Sequence, residues 1–258
     1  MRALALILAA ALVPPLTADT LRDDLGLTVA LAPAATRIVS LSPHATELVQ
    51  AAGAAQKLVA GVPADGQLPR NTQVISTFPG LDRERLLQLQ PDLVIAWGSG
   101  NRATDLAWLD QQGMRVYRSQ PTQLADIARN LRDIGQLAGT FQVADAAARR
   151  FEDSLASTCT QAPLAAQIRV WDKPTLSVGG EHWLNDVLAH AGLKNVYAEL
   201  ERGIFALENE AGMLQAQTQM VSLQPADKPA LHAPGLARPG VHLGAAIAEL
   251  CRQQARGG

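Results

Sequence analysis

Apolar residues recur along this chain in two alternating patterns. Short runs at residues 37–41 (RIVSL), 57–61 (KLVAG), 93–96 (LVIA) and 114–117 (MRVY) read as strands. The LVIA run has no polar alternation, which suits a strand covered on both faces. Between these runs the apolar positions fall at helical spacing. Leu48, Val49 and Ala52 share one such face, as do Leu86, Leu87 and Leu89. Leu106 and Leu109 follow, and then Leu124, Ile127, Leu131 and Ile134. Boundary residues agree with this reading. Ser42 suits an N-cap and Pro43 the first helical position, and Asp82 suits the next N-cap. Gln90-Pro91-Asp92 breaks a helix and Gly113 ends another. Strand–helix alternation of this kind predicts an α/β fold with mostly parallel sheets, in which ligands sit beyond the carboxyl ends of strands.

Gly139-Thr140 interrupts the helical pattern, and a second helix is expected over 141–157. At 1.5 Å per residue it spans roughly 25 Å, the width of a small domain. Fresh strand patterns follow at 167–171 and 175–178. Gly179-Gly180 then opens a loop, and a helix over 182–191 carries Trp183 in its first turn. A helical segment is expected from 208 to 214, a strand over 219–223 and a last helix over 241–254. The pattern predicts two lobes, residues 19–138 and 159–258, joined by a rigid connector helix over 139–158.

Residues 1–18 have one Arg, an apolar run, and a small-residue site ending at Ala18, which is the form of a cleaved secretory signal. The mature chain is therefore expected to be soluble and exported. A net charge of -2 and the lack of any basic cluster argue against nucleic acid as a partner.

Only 4% of residues are aromatic, so their positions carry information. Phe78 and Trp97 sit in the two loops that flank one helix–strand unit, at matching ends if the unit belongs to a parallel sheet, and Gly98 and Gly100 lie in the second loop. Together they predict one wall of a cleft for a large, flat, partly apolar molecule. His44, at the second helical position after Ser42, is expected as an exposed polar residue near that opening or as a ligand contact. A lone His is weak grounds for a metal site, and none is expected. Cys159 and Cys251 leave two alternatives open, a disulfide or buried thiols. No G-x-S-x-G, H-E-x-x-H or paired Cys–His arrangement is present, so no enzyme chemistry is expected.

The segments RIVSLSPHATELVQAAG and STFPGLDRERLLQLQPDLVIAWGSGN, followed by the long connector, resemble the periplasmic vitamin B12-binding proteins of ABC importers. More broadly they resemble the class that binds cobalamin, haem or ferric siderophores. The resemblance is strong over 37–139 and continues through SVGGEHWLNDVLAHAGLKNVY and GIFALENE. It implies a class III periplasmic binding protein that holds cobalamin, with no further cofactor, edge-on between two lobes. Ser42, Pro43, His44, Val62, Phe78, Trp97, Gly98, Leu176 and Phe205 are the implied ligand contacts.

The chain departs from the family's aromatic lining. Phe78 stands where the family has Trp, Val62 falls near a family Tyr, Leu176 near a Phe, and Ile204-Phe205 near a Trp. The family's docking acids on the permease dimer match Glu84 and Glu210, with Glu208 one alternative for the latter. Cys251 matches one half of the family disulfide, whose other half falls at His190. A haem or ferric siderophore ligand is the alternative, with His44 as the iron ligand or Arg102 and Arg202 as partners of an anionic complex.

Overall fold

A computed structural model describes residues 19–156, 159, 163–207, 218–223 and 230–257. The expected signal at 1–18 and the helical segment at 208–214, with Glu208 and Glu210, lie outside the described residues.

The chain opens with a two-stranded antiparallel hairpin, β1 (Thr20–Arg22) and β2 (Thr28–Ala30). A five-stranded sheet follows. Its strands are β3 (Ile38–Ser40), β4 (Leu58–Gly61), β5 (Gln73–Val74), β6 (Leu93–Trp97) and β7 (Val116–Ser119). They are all parallel, in the order β5-β4-β3-β6-β7. Helices α1 (Pro43–Ala51), α2 (Arg83–Leu89), α3 (Ala103–Gln111) and α4 (Leu124–Ala138) connect or follow these strands.

The expected boundaries hold where local chemistry sets them. The Ser42 side chain caps α1, with Pro43 in its first turn, and the Asp82 carboxylate accepts from Arg85 N–H at the start of α2. Gln90 ends α2 in a left-handed conformation before Pro91. Strand β6 is buried along residues 93–96, as its uninterrupted apolar run requires. Strand β7 corrects the expected 114–117 by two residues. Its polar end, Arg118 and Ser119, is buried because the Arg118 guanidinium pairs with Asp23 and Asp110 and the Ser119 hydroxyl with Asn130.

Helix α5 (Phe141–Leu155) turns back from α4 at Gly139, which has a positive φ. Ala144, Ala147, Ala148 and Phe151 form its buried face. The same core cluster holds Ile38 and Leu48 from the first half and Ile168, Leu193 and Leu250 from the second. Helix α5 thus links the two halves through continuous apolar packing rather than as a free spacer.

The second half begins with β8 (Leu164–Arg169), then a hairpin of β9 (Trp171–Asp172) and β10 (Thr175–Val178). Helix α6 (Leu184–His190), β11 (Leu193–Asn195), β12 (Ile204–Ala206), β13 (Gln219–Ser222) and α7 (Leu243–Gly257) complete it. Strands β11-β8-β13 form a parallel sheet, and β12-β10-β9 a small antiparallel one. The antiparallel sheet and the opening hairpin were not expected from the sequence. Among the described residues no helix is long and apolar enough to cross a membrane.

Cys159 and Cys251 are bonded, with Cα atoms 5.7 Å apart. Cys159 N–H donates to the His190 carbonyl at 3.2 Å. Cys159 therefore lies beside the position where the resemblance places the family's second half-cystine, reached from a different point in the chain.

Candidate ligand-binding cleft

Strand order in the five-stranded sheet reverses direction between β3 and β6. Chains leaving the carboxyl ends of these two neighbours diverge, and such a point leaves a crevice. Trp97 ends β6 and is half-buried there. Asn101 fixes the loop that follows: its Oδ1 accepts from Trp97 N–H at 2.7 Å, and its Nδ2 donates to the Leu41 carbonyl at 2.8 Å. A Cβ added at Gly100 would overlap the Trp97 indole, so the ring lies directly on the Gly100 backbone. On another side the His44 ring meets the indole edge-on, 5.1 Å between centroids.

His44 is not the exposed residue expected from its first-turn position. It is 1% exposed, and both ring nitrogens are engaged. The Ser119 hydroxyl donates to Asn130 Oδ1 at 2.5 Å, so its oxygen accepts from His44 Nε2–H at 3.1 Å. His44 Nδ1 then accepts from the Ser42 hydroxyl, 3.1 Å away. Asn130 Nδ2 in turn donates to Asp24, whose carboxyl is raised by burial. Ser42 is likewise buried. Ser42 thus fixes the His44 ring against the Trp97 indole, and His44 has no free nitrogen for an iron.

Burial lowers the His44 imidazole to about 4, with Glu47 opposing and Arg238 reinforcing the shift. An unfolded imidazole takes up a proton near 6.5, whereas this one does so near 4. Its contribution to stability is therefore complete above the unfolded value and falls as pH drops through the window between the two. We expect His44 to lower stability by about 2 kcal/mol between pH 7 and pH 5. Urea midpoints at the two pH values measure this, and a His44 proton resonance titrating near pH 6.5 would contradict it.

Phe78 is 88% exposed, a high value for a large apolar side chain. Its loop is tied to the one carrying Trp97. Arg102 Nη1 donates to the Pro79 carbonyl at 2.7 Å, and Asp105 accepts from Leu81 N–H at 3.0 Å and from Arg83 at 2.8 Å. The two aromatic loops are thus held together, as their placement around one helix–strand unit predicts. Arg102 is engaged in that tie.

The second half faces this wall across a cavity of about 390 Å³. Trp97, Ser99, Gln120, Pro121 and Thr122 line one side, Glu181, His182, Trp183, Gly203 and Ile204 the other, with Pro239 between them. Gln120 Oε1 accepts from Ser99 N–H at 2.7 Å, bracing the Trp97 loop. Across the cavity, a Cβ at Gly179 or Gly180 would overlap the carbonyl oxygens of Arg202 and Ala198. Only glycine lets the loop before His182 pack so closely. Asn185 Nδ2 donates to the carbonyls of Gly179, Gly180 and His182, and Asn195 holds Asn185 in turn.

Register decides which apolar residues of the small sheet are presented here. Ile204 pairs with Val178, Leu176 with Ala206 and with Trp171, so these side chains share one face. Ile204 and Trp171 are 54% and 50% exposed, and Leu176 is half-buried. Phe205, one residue on, turns to the opposite face and meets Tyr197 at 5.4 Å. Ile204 therefore lines the cavity where Phe205 was expected. Val62 is half-buried against the core and Gly98 lies in the Trp97 loop. Arg202 does not line the cavity.

Two ties cross between the halves. Arg238 pairs with Glu47 on α1 at 3.1 Å and with Asp65 at 2.6 Å, and His242 meets Glu47 at 2.7 Å. Asp186 on α6 accepts from Leu124 N–H at the start of α4. The Glu47–Arg238 cluster borders a separate, charged cavity of about 590 Å³ without aromatic lining. Among the described residues no cluster of three or more His, Cys, Asp and Glu is arranged to hold a metal ion.

The sequence pattern defining the periplasmic binding proteins matches residues 38–212. The chain belongs to the periplasmic binding protein family. A vitamin B12-binding protein of Vibrio parahaemolyticus is 36% identical over 128 residues, covering 48% of this binding protein and 46% of the relative. One from Vibrio campbellii is 33% identical over 134 residues, 50% and 49% of the two chains. The chain thus spans about half the length of the curated relatives it matches. The crystal structure of the periplasmic vitamin B12-binding protein of Vibrio cholerae superposes with a TM-score of 0.72 at 25% identity. It covers 87% of this chain and 99% of that one. A periplasmic heme-binding protein of Pseudomonas aeruginosa shares the fold, with a TM-score of 0.65 at 22% identity over 85% of this chain and 92% of that one.

Proposed function

We propose that this binding protein is exported to the periplasm, captures cobalamin or a related corrinoid in the cleft between two lobes, and delivers it to the permease of an ABC importer. The observation that carries this reading is the cavity lining. Trp97, Ile204 and Pro121 supply apolar surface, and Ser99, Gln120, Thr122 and His182 supply neutral polar groups. Among the described residues that line it, Glu181 alone is charged. A ligand rimmed by carboxamides can satisfy such a surface. The carboxylates of haem, or an anionic ferric siderophore, would face Glu181 with no cation among the described lining residues. The cavity would take the edge of a large macrocycle, and the exposed Phe78 in the neighbouring loop would cover its outer face. Burying that ring contributes about 2 kcal/mol.

The protein is expected to perform no chemistry on its cargo, and cobalt keeps its own macrocyclic ligands. Difference spectra of the mature protein with cyanocobalamin, haemin and a ferric siderophore test the reading. Binding of cyanocobalamin alone supports it, and a haemin Soret shift without cobalamin binding would sink it.

Glu84 stands exposed in the first turn of α2, where among the described residues Gln88 alone bonds to its carboxylate. A carboxylate there is free to meet a basic permease surface and set its register. Glu210 is proposed as the second docking acid by resemblance. The double variant Glu84→Ala, Glu210→Ala is expected to bind cobalamin with unchanged affinity and lose uptake through the cognate permease. Intact uptake would remove the docking assignment.

A further inference from the structure

His182 stands at the mouth of α6, on the cavity wall opposite Trp97. Leu184 N–H, in the first turn of α6, donates to His182 Nδ1 at 3.2 Å. That bond settles the proton's place. A nitrogen that accepts carries no hydrogen, so in the neutral ring the proton sits on Nε2. Nε2 has no partner among the described residues and is not among the fully buried polar atoms. Asn185 and the two close-packed glycines fix the loop that carries the ring, and the ring lies 5.1 Å from the buried Trp183. The side chain is therefore a preset donor, with its acceptor side consumed by the helix.

We propose that His182 Nε2–H donates a hydrogen bond to a neutral acceptor on the rim of the bound macrocycle, a carboxamide oxygen, and that its tautomer bars it from binding the central metal. This deepens the cobalamin reading and rests on it. Metal coordination through Nε2 would need the lone pair there and the proton on Nδ1. The proton would then point at Leu184 N–H, setting donor against donor at a helix start. Glu181 beside His182 favours a neutral partner over a carboxylate. Burial lowers the His182 imidazole to about 4, so the neutral donor persists across periplasmic pH.

Three substitutions separate this role from helix capping. His182→Asn keeps an acceptor at the Nδ1 position and removes the Nε2 donor. His182→Gln places an amide N–H near Nε2. His182→Phe removes both. By calorimetry with cyanocobalamin, His182→Asn and His182→Phe are expected to bind roughly fivefold to tenfold more weakly, the effect of one neutral hydrogen bond. His182→Gln is expected to recover most of the loss. His182→Phe and His182→Gln, which lack an acceptor at the Nδ1 position, should both lower the melting temperature, and His182→Asn should not. Aquocobalamin, whose upper ligand exchanges readily with imidazoles, is expected to keep its free spectrum when bound to the unsubstituted protein.

Unchanged affinity in a folded His182→Asn would overturn the donor role. A shift of bound aquocobalamin toward an imidazole-coordinated spectrum, abolished in His182→Phe, would overturn the tautomer argument. No cyanocobalamin binding by the unsubstituted protein would overturn the cobalamin reading together with it.

Discussion

Trp97→Ala is expected to weaken cobalamin binding by about 2–3 kcal/mol, roughly 30- to 150-fold, with little change in global stability. Trp97 is the one large aromatic of the first wall that is both half-exposed to the cavity and fixed in place. His44, Asn101 and Gly100 hold its ring and loop, so little ordering entropy is lost when a flat ligand docks against it. A second variant tests whether position or mere presence matters. Gly100→Ala keeps the indole but drives a methyl into it, and should lose roughly tenfold in affinity because the ring must swing away. Calorimetric titration of both variants with cyanocobalamin decides the point. If Trp97→Ala binds as well as the unsubstituted protein, the wall described here is not the ligand's.

Cutting the Cys159–Cys251 bridge is expected to be the largest stability change available by point substitution. The bridge closes a segment 92 residues apart in sequence. In the chain-entropy model a loop of that size is worth about 4–5 kcal/mol, which corresponds to a melting temperature lower by roughly 10 °C or more. It pins the chain at Cys159, just after α5, to α7, which closes the second half. Neither cysteine lines the cleft. Cys159→Ser with Cys251→Ser should therefore unfold at lower temperature yet bind cobalamin normally while folded. Equal melting of the reduced and oxidised protein would contradict this.

The fold was legible wherever a short stretch decides its own fate. Ser42-Pro43, Asp82, the LVIA run and Gly113 each act through neighbours a few residues away, and each element falls where those residues place it. His44 shows the opposite case. Its first-turn position alone reads as exposed, but Ser119, which buries it, lies 75 residues on in the chain. Because aromatics are scarce, the sequence singles out Phe78 and Trp97; Trp97 lines the cavity, and Phe78 is exposed outside it.

The second wall was not legible, because it depends on register. In an antiparallel pair a one-residue difference exchanges faces, and so Ile204 rather than Phe205 meets the cavity. The short strands of the opening hairpin carry too few residues for any period to show. His182 gave one usable signal, its place directly after Gly179-Gly180 at a helix start. Its tautomer is set by a bond to Leu184 that only the folded loop forms. The Cys159–Cys251 pairing likewise depends on where α7 returns in space.

Calorimetric titration of cyanocobalamin into the mature protein tests the central claim most directly. One site per chain is predicted, with a dissociation constant at or below the micromolar range and a negative heat-capacity change from the apolar surface buried against Trp97 and Phe78. No heat at micromolar protein, with haemin bound under the same conditions, would contradict it.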